Sequence, residues 1–253
     1  MYNKRVKLLG SYLDCITMDE TVKRVIDAVE KKEYLQHVVI NAGKINIMQK
    51  DNMLTEIVNS CKLINADGQS IVWAGRLLGH KIPERVAGID LFDELIKVCA
   101  IKGYKPYFFG AKEEVVEKVV KHYTSLYPNL DVAGFRNGYF NSDESNKISK
   151  EIRDSKADML FVAFSSPQKE YWINDNFKII DVPFVMGVGG SFDVIAGVTK
   201  RAPKLMQKMG LEWFYRFIQE PKRMFKRYII GNLYFVLLVF KEMFDKGKIN
   251  RDY

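Results

Sequence analysis

The stretch VPFVMGVGGSFDVIAGVTKRAP, residues 182–203, decides the fold. It begins with a short apolar run that reads as a buried strand, and a glycine-rich turn follows it directly. Glycine lets a backbone approach a nucleotide or a sugar closely, although the same pattern also suits a plain strand-to-helix turn. We therefore expect Gly187, Gly189 and Gly190 to border a ligand pocket.

Upstream of this stretch, apolar strands alternate with amphipathic helices. Strands are predicted near 6–9 and within 37–41, 61–68, 105–111, 130–140 and 157–167, and helices near 18–32, 44–60, 88–103, 112–128, 142–155 and 167–177. Alternation of this kind is typical of an α/β fold with a parallel, Rossmann-like sheet flanked by helices.

Downstream of this stretch, the character of the chain changes. Residues 200–253 contain 13 lysines and arginines against five acidic residues, so they account for the whole net charge of +8. We predict an α/β core over 1–199 and a basic, amphipathic, helical appendage over 200–253. The uncharged run 228–240 has 13 residues, fewer than the ~20 that a membrane-spanning helix needs. An interfacial helix and a helix packed on the core both remain open.

Composition and missing motifs exclude several classes of protein. The three cysteines form no CxxC pair, and we expect no secretory signal, because MYNKRVKLLGSYLD contains no apolar core of that kind. Both features favour a reducing compartment. The P-loop, GxGxxG, HExxH and Asp-x-Asp patterns are all absent from the sequence. We therefore expect no metal site and no cofactor, and a nicotinamide-dependent enzyme is disfavoured.

Four polar side chains stand at predicted strand ends or loops, where open parallel sheets bind ligands. Asp67 in NADGQS suits a general base, but it also suits a helix cap or a turn. Asn41 ends the strand HVVIN and suits either a sugar hydroxyl or a helix cap. Arg85 in PERVAGID suits a phosphate clamp or a surface ion pair with Glu84 or Asp90. Gln168 in SSPQKEYW suits a ligand contact or a capping box with Ser165.

Several motifs in the same order resemble the WecG/TagA/CpsF family, glycosyltransferase family 26. They are ADGQSIV, PERVAGIDLF, FFGAKEEV, YPNLDVAGFRNGYF, SSPQKEYWI, GVGGSFDVIAGVTKRAP and LEWFYRFIQEPKR, and together they extend over about the whole chain. The resemblance implies an inverting glycosyltransferase, and the missing Asp-x-Asp motif predicts that it needs no metal. It would move a sugar, most often N-acetylmannosamine, from a UDP-sugar donor to undecaprenyl-diphosphate-linked N-acetylglucosamine, for teichoic acid or another cell-surface polysaccharide.

The resemblance also assigns roles to residues. Asp67 matches the family's proposed catalytic base, while Asn41, Arg85 and Gln168 match substrate-binding positions. The appendage matches the segment with which members reach the membrane and close over the active site, and it would bring Arg216 and Arg223 to the donor diphosphate.

The resemblance implies a cytoplasmic protein, peripheral on the inner face of the cell membrane, whose basic tail meets an anionic membrane surface. Self-association into a homo-oligomer stays open.

Three positions near the expected pocket depart from the family pattern and leave the sugar open. Val39 stands where members commonly carry threonine, Ala42-Gly43 where they carry Pro-Glu or Ala-Glu, and Gln69-Ser70 where they continue with x-Gly. Transfer of another hexose or a uronic acid is therefore an alternative. A nucleic-acid-binding protein that uses the basic tail is a second alternative from another class. The apolar run 228–240 disfavours it, because a nucleic-acid groove gains little from such residues.

Overall fold

The computed structural model describes residues 5–249. The side chains at positions 208, 223, 224, 226, 227 and 246–249 lie outside the description.

A six-stranded parallel sheet forms the centre of the molecule, as the sequence predicts. Its strands lie in the order β4-β3-β8-β7-β5-β6, and every neighbouring pair is parallel. Their bounds are β3 Leu35–Ile40, β4 Leu63–Ala66, β5 Pro106–Gly110, β6 Gly134–Arg136, β7 Met159–Ala163 and β8 Phe184–Gly187. The connections β3-to-β4 and β4-to-β5 run toward opposite edges of the sheet, so a topological switch point, the usual place for a ligand, falls beside β3 and β8.

Helices flank both faces of this sheet. Those before residue 200 are α1 Met18–Glu30, α2 Ala42–Met48, α3 Asn52–Ser60, α4 Gln69–Leu77, α5 Gly88–Lys102, α6 Glu113–Leu126, α7 Ser145–Asp154, α8 Gln168–Ile180 and α9 Ser191–Ile195. The expected helix over 44–60 is two helices, because the Asp51 side chain accepts from the Leu54 amide and starts α3. The expected helix over 88–103 ends at Gly103, whose φ of 74° is the left-handed conformation that glycine favours.

Successive side chains along each strand point to opposite faces of the sheet, so the core is divided into layers. In β7, Phe161 faces one layer of helices together with residues of α1, α5 and α6, whereas Leu160 and Val162 face α7 and α8 on the other side. A third cluster lies under β3, β4 and helices α2 to α4. Strands buried on both faces explain why the sequence shows continuous apolar runs instead of alternation.

The first predicted strand does not join the parallel sheet. β1 Arg5–Leu8 pairs antiparallel with β2 Ser11–Asp14 in a separate hairpin. Leu9 and Gly10 at the turn both have positive φ, 51° and 81°, which reverses the chain within two residues. Asp14 then ties the hairpin to the sheet, since its carboxylate accepts from Arg5 and from the Ile64 amide at 2.8 Å.

Beyond residue 200 the described chain is helical and lies partly on the rest of the molecule. It contains α10 Lys204–Lys208, α11 Glu212–Gln219, α12 Pro221–Phe225, a π-helical segment Lys226–Ile230 and α13 Gly231–Ile249. In α13, Phe235 and Val239 are buried in the cluster that also holds Ile45 and Met48 of α2. Asn46 donates to the Gly231 carbonyl at 2.7 Å. Within 5–249, no helix combines the length and the apolarity needed to cross a membrane.

Candidate active site

The carboxyl ends of four adjacent strands bring most of the sequence-predicted residues to one edge of the sheet. Asp67 follows β4, Asn41 follows β3, the glycine turn follows β8, and the segment before Gln168 follows β7. Neighbouring parallel strands end at the same edge, so these positions line one crevice at the switch point.

Asp67 is half-buried and held by two donors. Its Oδ1 accepts from the Gly88 amide at 2.9 Å, at the first residue of α5. Its Oδ2 accepts from Asn41 Nδ2 at 3.4 Å. A helix N-terminus stabilises a negative charge, so the carboxylate has a fixed position and keeps lone pairs for a further donor. This arrangement suits a group that accepts a proton from a bound hydroxyl.

Asn41 links a helix cap to this carboxylate. Its Oδ1 accepts from the Lys44 amide at 3.0 Å and caps α2, while its Nδ2 donates to Asp67. The helix-cap alternative is therefore correct, and the same side chain also orients the candidate base. Val39, one of the departures from the family pattern, packs nearby: a Cβ on Gly88 would lie 3.7 Å from its Cγ1.

Arg85 is engaged in a charge cluster that includes the C-terminal segment. Its guanidinium pairs with Glu212 of α11 and lies 4.0 Å from Asp90 of α5. Arg201 contacts the same two acids, at 2.5 Å from Asp90 and 3.6 Å from Glu212. The expected alternative of an ion pair is present, but Glu84 is not its partner, because Glu84 accepts from the Met18 amide.

Gln168 lies on the exposed side of α8, and its Oε1 accepts from the Ser165 hydroxyl at 2.7 Å. The capping box expected between these two residues is absent, because Pro167 is the cap position of α8 and makes no side-chain cap bond. The residue that faces inward is the next one along the chain.

Lys169, Glu170 and Lys44 form a buried group of charges that the sequence reasoning missed. Glu170 is 2 % exposed, Lys44 4 % and Lys169 8 %. One carboxylate oxygen of Glu170 accepts from Lys44 Nζ at 2.6 Å and lies 3.3 Å from Lys169 Nζ. The Ser166 hydroxyl donates to the same carboxylate at 2.9 Å and accepts from Lys169 at 2.7 Å.

These charges shift each other's protonation. Burial alone would raise the pKa of Glu170, but the charges of Lys44 and Lys169 hold it at about 2. Burial and the charge of Lys44 lower the pKa of Lys169 to about 8, against the opposing effects of Glu170 and Asp67. The helical spacing held a signal for this, because Lys169 stands three, four and seven residues before the inward-facing Trp172, Ile173 and Asn176.

The glycine turn lies against Lys169. A Cβ on Gly187 would stand 2.6 Å from Lys169 Cδ, so a side chain there would displace the lysine. Gly189 has a φ of 55°, and a Cβ on it would lie 3.9 Å from Lys169 Nζ. Gly190 precedes the five residues of α9. The turn needs glycine for close packing at 187 and for backbone conformation at 189.

Arg216, one of the two arginines predicted to reach the donor diphosphate, is not brought into this group. Arg216 lies on α11 with an exposed side chain. Arg223 lies on α12, and its side chain is outside the description. Their predicted role stays a prediction.

His37 in β3 is buried, 3.0 Å from Asn65, and burial lowers its pKa to about 4. Among the described residues, no group of three or more His, Cys, Asp or Glu side chains is arranged to hold a metal ion.

Comparison with known proteins identifies the family. The model of the glycosyl transferase WecG/TagA/CpsF family matches residues 6–249. The N-acetylglucosaminyldiphosphoundecaprenol N-acetyl-beta-D-mannosaminyltransferase of Bacillus subtilis (strain 168) is 37% identical over 174 residues, 69% of this chain and 67% of the relative. The enzyme of the same name from Staphylococcus aureus (strain MW2) is 32% identical over 221 residues, 87% of this chain and 86% of the relative. The chain belongs to the WecG/TagA/CpsF family and is a glycosyltransferase.

Proposed function

We propose that this enzyme transfers N-acetylmannosamine from a UDP donor to undecaprenyl-diphosphate-linked N-acetylglucosamine, with inversion and without a metal ion. The product would serve teichoic acid or another cell-surface polysaccharide. The activity of the relatives, as their names state it, supports the sugar and the acceptor. The observation that carries the proposal is Asp67, a half-buried carboxylate fixed by the Gly88 amide and Asn41 at the carboxyl edge of the sheet.

In the proposed reaction, Asp67 accepts the proton of the acceptor hydroxyl. The hydroxyl oxygen forms a bond to the anomeric carbon of the donor, from the face opposite the nucleotide. The bond between that carbon and the diphosphate oxygen breaks, and UDP leaves with the electron pair. Attack from the opposite face inverts the anomeric configuration.

Charge that develops on the leaving diphosphate needs cations or amide donors in place of a bound metal. We assign this role to Arg85, Arg216 and Arg223, with the turn Gly187, Gly189 and Gly190 close to the nucleotide sugar. Arg85 is now paired with Glu212, so donor binding would exchange one anionic partner for another. Asn41 and Gln168 are assigned to sugar or acceptor contacts.

We further propose that residues 200–253 form an appendage that holds the enzyme on the anionic inner face of the cell membrane. The outward face of α13 supports this, because it exposes large apolar side chains at helical spacing: Leu233 64%, Leu237 58%, Phe240 46% and Phe244 65%. Burial of such a face in the lipid interface is favourable, and nearby basic residues add attraction to anionic headgroups.

Replacement of Asp67 by asparagine tests the reaction. Asp67→Asn keeps the shape and removes the base, so turnover with a UDP-N-acetylmannosamine donor and a lipid-diphosphate-linked acceptor should fall by roughly 10²–10⁴. Asp158→Asn is the matched control. Asp158 precedes β7 at the opposite edge of the sheet, where it accepts from the Lys105 amide, and this variant should turn over normally. If Asp67→Asn turns over at a rate close to that of the control, Asp67 is not the general base.

The same assay tests the donor and the metal. A panel of UDP-sugars read by mass spectrometry should give transfer of N-acetylmannosamine, and transfer of another hexose or a uronic acid would replace that assignment. Turnover should persist in EDTA. Loss that magnesium or manganese restores would show a metal requirement.

A further inference from the structure

The group formed by Lys44, Glu170 and Lys169 carries an excess positive charge inside the protein. Two ammonium groups share one carboxylate, and Glu170 accepts from Lys44 at the shorter distance, 2.6 Å against 3.3 Å for Lys169. Lys169 is therefore the cation whose charge is incompletely balanced. A buried charge is costly unless it is paired.

Lys169 lies beside the glycine turn at the carboxyl edge of the sheet. Its stem crosses Gly187 at the end of β8, and its amino group lies within reach of the turn at Gly189. Because both positions are glycine, neither places a side chain over the stem or the ammonium group of Lys169. The Asn41 side chain bonds to both Asp67 and the Lys44 amide, and the Lys44 ammonium group shares Glu170 with Lys169. One network of contacts therefore holds the cation and the candidate base.

The ammonium group also has a donor to spare. It has three N–H donors, of which the Ser166 hydroxyl takes one and the shared Glu170 carboxylate can take a second. A third is available for an anion above the glycine turn.

We propose that Lys169 contacts the diphosphate of the nucleotide-sugar donor and stabilises its charge as it leaves, from within the sheet edge and independently of the tail arginines. Glu170 and Lys44 are positioning residues, because they hold the ammonium group in place. This inference rests on the proposed function, since it takes a nucleoside diphosphate as the ligand.

A structural role and a binding role of Lys169 predict different effects on Tm when the lysine is replaced. The folded-state pKa of Lys169 lies below its ordinary value, so the buried charged form opposes folding below pH 8, and this cost disappears as the pH rises toward 10.5. Removal of the charge at pH 7 should therefore leave Tm unchanged or raise it. A lysine kept for structure should lower Tm when it is replaced.

The experiment uses the full-length chain and three variants. Lys169→Gln removes the charge. Lys178→Gln is the control, an exposed lysine on the same helix. Gly187→Ala displaces the stem of Lys169 without removing its charge. UDP binding is measured by calorimetry at pH 7 and pH 9, uridine binding by competition with UDP, and Tm by thermal unfolding.

We expect Lys169→Gln to weaken UDP binding by about 10–100-fold, the range for a charge-assisted hydrogen bond, and to leave uridine binding unchanged. Gly187→Ala should weaken UDP binding in the same direction, and Lys178→Gln should bind as the wild type. Wild-type affinity for UDP should fall from pH 7 to pH 9 as Lys169 loses its proton, whereas Lys169→Gln should lack that decrease.

Two negative outcomes are distinguishable. Wild-type UDP affinity in Lys169→Gln, or a lower Tm with equal losses for UDP and uridine, would overturn the role of Lys169 and leave the proposed reaction intact. Absence of UDP binding to the wild type, with transfer from a different class of donor, would overturn the proposed donor and this inference together. If Lys169→Gln does not fold, Gly187→Ala decides by the same comparison of UDP with uridine.

Discussion

At the scale of single residues, a pair of variants can distinguish the stabilising role of Asn41 from its proposed functional role. Asn41→Ala removes the cap of α2 and the donor to Asp67, so it should cost about 1 kcal/mol of unfolding free energy and also reduce turnover. Asp51→Ala removes the comparable cap of α3 and the bond from the Tyr171 hydroxyl. It should cost at least as much stability and leave turnover unchanged at a temperature where both variants are folded.

Denaturant unfolding and initial rates on the same preparations check this pair. Equal loss of turnover in both variants would assign the effect of Asn41 to stability alone. Loss confined to Asn41→Ala would support its role in orienting the candidate base.

At the scale of elements, α13 has two apolar faces, one buried and one exposed. Phe235 and Val239 are buried against α2, while Leu237 and Phe240 are exposed. Leu237→Ser combined with Phe240→Ser should reduce partition into anionic vesicles at low and high salt, because apolar burial is not screened by ions. Tm should hardly change.

Phe235→Ser is the matched comparison on the other face of α13. Its main effect should be a lower Tm, since truncation of a buried aromatic side chain costs about 3–5 kcal/mol of unfolding free energy. Vesicle sedimentation across a salt series and thermal unfolding measure the two effects. Unchanged partition in the Leu237/Phe240 variant would remove α13 from the membrane contact.

At the scale of the whole molecule, the C-terminal helices also cover the core. Removal of all residues after Thr199 would expose the cluster that contains Ile45 and Met48, and it would leave Arg85 without Glu212. We therefore expect the shortened chain to unfold at a lower temperature and to aggregate, whatever its surface charge. Thermal unfolding and sedimentation velocity test this, and a monodisperse shortened chain with wild-type Tm would contradict it.

The sequence alone was sufficient for the parallel α/β sheet and the family. Apolar runs, turn glycines and helical spacing are local properties, and they locate the six strands of the sheet. Helix α4 Gln69–Leu77 and the break between α2 and α3 were not predicted. The hairpin formed by β1 and β2 was missed because only one of its two turn positions is glycine. The other is Leu9, a residue type that rarely adopts the positive φ found there.

Only the tertiary structure decided which side chains share the crevice. Asp67 and Asn41 stand 26 positions apart, and Lys44 and Glu170 stand 126 apart. Their proximity depends on strand order, which no local pattern encodes. The sequence pointed to Gln168, yet the rotation of α8 turns Lys169 inward instead. The tail shows the same division: its composition predicts charge and helices, but the burial of Phe235 depends on the surface that α2 presents to it. Local patterns specify elements because propensity acts between near neighbours, and sites need the long-range contacts that folding makes.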